Sequence, residues 1–135
     1  MQPAEQINNA KTRLQQLRYE LDGWKRLLNF LQEENNHLKE RIASLLKESS
    51  ATGVVKEAEQ FHTRFLKEDD RFLLLRNDIA ELEHLLPENR KPANPGLVML
   101  HKVVQLRSNT RHAENHFLFL KETFNTYLAN LFNVS

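Results

Sequence analysis

Two histidines four residues apart, in the segment His112-Ala113-Glu114-Asn115-His116, come nearest in this sequence to a metal-binding pattern. On a helix, residues i and i+4 share a face, and neutral imidazole is the commonest nitrogen ligand for a metal. The pattern is not that of a zinc protease, which needs glutamate directly after the first histidine. Nor is it the Glu-x-x-His of a di-metal carboxylate bundle, repeated on paired helices. A zinc site needs three or four ligands converging on one point. By heptad position His37, His84, His101 and His112 point outward, and only His62 and His116 flank an apolar seam. The expectation is no metal and no cofactor, with His62 and His116 the pair that a metal site would use.

Nucleophilic chemistry has as little to work with. The chain has no cysteine, which excludes disulfides, thiolate ligands and a cysteine nucleophile. Ser49 and Ser50 sit in a turn, no nucleophile motif surrounds Ser108, and no glycine-rich phosphate loop occurs. The sequence therefore predicts a non-enzymatic protein.

The elements that carry these residues are read from apolar periodicity. Ile7, Leu14, Leu21 and Leu28 recur every seven residues and Ile42 resumes the repeat after one break at Asn35, with Ala10, Leu17, Trp24, Leu31, Leu38 and Leu45 three residues after each position, so one long helix is predicted over about residues 4–48. Ser49 to Gly53 is a cluster of turn and capping residues, which predicts a tight reversal. Ala58, Phe61, Phe65, Phe72, Leu75, Ile79, Leu82 and Leu86 then form a second stripe, giving a helix over 54–86 that Pro87 ends. Asn94-Pro95 reads as an N-cap with proline in the first turn. The third helix, 95–132, presents Met99, Val103, Leu106, Phe117, Leu120, Phe124, Tyr127 and Leu131. Short connections make successive helices antiparallel. The predicted fold is all-α: one domain over residues 1–135, three long helices in an up-down-up coiled-coil-like bundle, assembled as a dimer.

Each stripe has a polar defect or a narrowing. Asn35 interrupts the first and Glu68 the second, while Thr110 and Ala113 fill the narrow part of the third. With turns centred near residues 51 and 91, Asn35, Glu68 and Glu114 fall at one height. A lone carboxylate in an apolar seam must be paired or protonated. The expectation is a buried polar layer in which Asn35 donates to Glu68, completed by Arg111 or Arg107 beside the small side chains Thr110 and Ala113, with Glu114 at the same height. Such a layer sets register; the alternative is that the same groups line a small-ligand site.

Composition narrows the partners. Nineteen basic and eighteen acidic residues leave a net charge of +1, so no global electrostatic case exists for nucleic acid. No apolar run approaches the roughly 20 residues that cross a bilayer, and the start of the chain lacks the features of a signal peptide. A cytoplasmic setting without membrane or nucleic-acid partners is expected. More apolar residues occur than three seams need. Ile7, Ala10 and Leu14 extend past the second helix, and Leu27 and Phe30 widen the first helix beyond its seam. These five are the expected interface with a second copy or another helical protein.

Overall fold

The computed structural model describes the backbone of residues 3–86 and 96–133, with side chains placed over residues 12–86 and 96–132. Three helices account for nearly all of this: α1 (Pro3–Glu48), α2 (Thr52–Leu85) and α3 (Leu97–Asn133). They pack against one another as an all-α three-helix bundle, without strands among the described residues. The expected caps and breakers Pro87, Pro92, Asn94 and Pro95 lie outside the described residues, as do the side chains of Ile7 and Ala10.

The turn between α1 and α2 is tighter than the sequence suggested. The Ser49 N–H still donates to the Leu45 carbonyl at 3.0 Å, and α2 begins at Thr52. Ala51 is the N-cap, in extended backbone (φ −73°, ψ 122°) without a side-chain cap. Ala51 thus stands where Ser or Asp would satisfy a free helix donor. At the other end Leu86 is extended (φ −69°, ψ 133°), the region into which a following proline pushes a residue.

Ion pairs and hydrogen bonds define the register. Lys25 reaches Glu83, Arg76 reaches Asn29, Gln32 reaches Asp69 and Asn35 reaches Phe65, so partner numbers fall along α2 as they rise along α1. Between α1 and α3 the pairs Glu20 with Arg107 and Glu34 with Lys121 are both 87 residues apart, so these two helices advance together. Lys102 with Glu81 and the ring pairs Phe72 with Phe117 and Phe65 with Phe124 fix α2 against α3.

The core follows the three stripes. Leu21, Leu28, Leu31, Leu38 and Ile42 of α1 meet Phe65, Phe72, Ile79 and Leu82 of α2 and Val103, Leu106, Phe117, Leu120 and Phe124 of α3. One correction falls near the end of α3. Leu128 is buried there, while Tyr127 and Leu131 are half-buried. The Tyr127 ring stacks on Phe61 with centroids 5.2 Å apart, filling the flank of the core.

Candidate functional site

Asn35 and Glu68 are both buried, at 0% and 1% exposure, but they do not bond each other. The Asn35 amide donates to the backbone carbonyl of Phe65 at 3.0 Å and to Asp69 Oδ1 at 2.7 Å. Gln32 donates to the same oxygen at 2.7 Å, and Lys39 Nζ reaches Asp69 Oδ2 at 2.6 Å. The Asp69 carboxyl is thereby the centre of the layer between α1 and α2. Burial pushes its pKa up, but hydrogen bonds from Lys39, Gln32 and Asn35 and the Lys39 charge outweigh this and hold it below the ordinary value. The reason for the correction is rotational. Asn35 lies toward the α2 flank of α1, and Asp69, next to Glu68 in sequence, lies on the α1 flank of α2.

Glu68 faces α3 instead. Its Oε1 meets His116 Nδ1, with Arg71 Nη1, one turn further along α2, at 3.5 Å. An ionised carboxylate only accepts, so in that state Nδ1 carries the proton. The expected level was off by about half a turn. His116, not Glu114, stands opposite Glu68, and Glu114 is half-buried. Arg111 is exposed, away from the layer, and Arg107 is engaged with Glu20, its Nη2 donating to Oε2 at 2.9 Å. Thr110 and Ala113 are buried nearer the start of α3.

Gln32, Lys39, Asp69 and Arg71 complete the two halves of the polar layer and were missed by sequence reasoning. A usable signal existed for the first two. Gln32, Asn35 and Lys39 are three and four residues apart, the spacing of one helix face.

His62 is half-buried, and His37, His84, His101 and His112 are exposed. Among the described residues no group of three or more His, Asp or Glu is placed to hold a metal ion. Shallow hollows lie between helices, one of them lined by Arg71, Leu74, Asp78, Asn109 and His112.

Of the five expected interface residues, Leu14 and Leu27 are half-buried, Leu27 against the core, and Phe30 is exposed. The larger uncovered apolar surface lies elsewhere. Leu66, Leu73 and Leu74 stand out from α2, and Leu97, Val98, Val104, Leu118, Phe119 and Phe132 from α3. No described helix is long and apolar enough to cross a membrane. No protein-family model, curated protein or solved structure matches the chain.

Proposed function

We propose that this chain is a non-enzymatic protein–protein interaction or scaffold module in the cytoplasm, self-associating through apolar helix surface that its own bundle leaves uncovered. One observation supports this best. α3 buries a complete apolar stripe against α1 and α2 and still exposes Leu97, Val98, Val104, Leu118, Phe119 and Phe132 along its outer side. Scattered exposed apolar side chains are ordinary, but a set repeating along one helix favours a second surface against it. The polar layer of Asn35, Asp69, Glu68 and His116 then fixes helix register rather than performing chemistry.

Sedimentation equilibrium across a range of concentrations, at two salt concentrations, tests the reading. A dimer is expected; a monomer at every concentration would remove self-association from it. A second reading, a ligand- or metal-binding bundle, draws on the buried Glu68 carboxylate beside His116. Stoichiometric metal in protein purified without a histidine tag would favour that reading over the first.

A further inference from the structure

The outer side of α3 carries a second seven-residue repeat, independent of the one that faces the core. One column is Leu97, Val104, Arg111, Leu118, Asn125 and Phe132, all exposed, with Leu97 at 86%, Val104 at 59%, Leu118 at 46% and Phe132 at 73%. The adjacent column, three residues before each of these or four after, is short or polar and also exposed: His101, Ser108, Asn115, Glu122 and Ala129. Alternating steps of three and four make a coiled-coil seam, and a long straight helix is the shape that fills one.

Resting on the interaction reading above, we propose that this seam binds the α3 of a second copy of the chain, running in the opposite direction about a two-fold axis. Charge chooses the occupant's direction. In a parallel pair each column meets itself, so Arg111 would face Arg111 and Glu122 would face Glu122. In an antiparallel pair the first column faces the second. One register then sets Arg111 of each copy against Glu122 of the other, and the two-fold repeats the ion pair. The same register places Val104 opposite Ala129 and Leu118 opposite Asn115, a larger side chain against a smaller one each time. Shifting by one heptad either way leaves Arg111 facing Asn115 or Ala129 and Glu122 facing an apolar residue, so both charges would be desolvated without a partner. Neither charge is committed inside the bundle: among the described contacts Arg107 and Lys121 bridge to α1, whereas Arg111 and Glu122 form no ion pair.

The cysteine-free chain makes the test direct. Val104→Cys and Ala129→Cys are prepared separately, mixed and oxidised. The antiparallel seam yields the mixed disulfide and neither homodisulfide, because like positions lie roughly 37 Å apart along the pair. In parallel, Arg111→Glu and Glu122→Arg each weaken self-association about tenfold, since two like-charge contacts replace two ion pairs. The double exchange restores it. All four positions are exposed, and circular dichroism confirms that helicity is kept. A dimer that forms homodisulfides, or that the double exchange fails to restore, overturns the seam while leaving the interaction reading standing. A monomer at every concentration overturns the seam and removes self-association from the interaction reading as well.

Discussion

Asn35 and Asp69 are joined across the α1–α2 interface by a 2.7 Å hydrogen bond from the asparagine amide to the carboxylate. The same carboxylate receives Gln32 and Lys39, so one acid on α2 gathers three donors from α1. This arrangement makes register expensive to change, because sliding α2 by one turn would strand a partly buried charge.

The stability of the bundle should therefore depend on acid. Burial works against ionisation of Asp69, but its three hydrogen bonds and the Lys39 charge prevail, and the folded-state pKa lies below the ordinary 3.8. A depressed carboxyl adds stability that is fully present above the unfolded value and is lost as pH falls through the folded one. Urea midpoints should drop as pH falls below about 5, and go on dropping below the ordinary carboxyl value. In Asp69→Asn, part of that slope should disappear; an identical pH profile would mean that the carboxyl contributes nothing to folding.

Glu68 offers a sharper test, because its carboxylate is almost fully enclosed while the His116 ring that meets it is half exposed. His116→Ala leaves the buried acid with only the 3.5 Å contact from Arg71. A loss of about 1–3 kcal/mol is expected, reflecting the unpartnered charge more than the lost contact. Replacing both residues together, Glu68→Leu with His116→Leu, removes the charge that needs a partner and should recover most of that loss. Denaturant titration of the two variants decides the matter: equal losses in both would assign the effect to packing.

Gly23 gives a prediction of opposite sign. It lies within α1 at ordinary helical dihedrals, and a Cβ built there meets nothing closer than the Arg26 side chain at 3.8 Å. Gly23→Ala should raise stability by about 0.5–1 kcal/mol, from reduced freedom of the unfolded chain and better helix propensity. A thermal melt that stays put or falls would show that the position is more crowded than the backbone indicates.

How much of this could be read beforehand varies with the physics involved. Apolar periodicity placed all three helices, since Leu28, Phe72 and Phe117 can be buried only if each helix turns that face inward. It also marked Asn35 and Glu68 as interruptions of buried stripes. What periodicity could not resolve was which flank each polar side chain leans toward. That depends on how each helix is rotated about its axis, which decides between Asp69 and Glu68 as the partner of Asn35, while an axial offset of about half a turn brings His116 rather than Glu114 level with Glu68. Leu128 escaped for the same reason, because either it or Tyr127 could continue the stripe.

The last prediction separates two surfaces. The apolar start of α1, with Ile7 and Leu14, invites a partner by sequence, but Leu14 is half-buried, whereas Leu118 stands exposed at the middle of the α3 seam. Leu118→Asp places a charge where two copies of α3 would meet, and at an exposed position it should cost the folded monomer little. Association should fall at least about tenfold, on the order of the penalty for a charge inserted into an apolar contact. Ile7→Asp with Leu14→Asp should leave the dimer intact, because the seam does not include either residue. The reverse pattern, association lost at α1 and kept at α3, would move the interface to the N-terminal half of the long helix and leave the outer face of α3 without a partner. Sedimentation of the two variants at matched concentration distinguishes these outcomes.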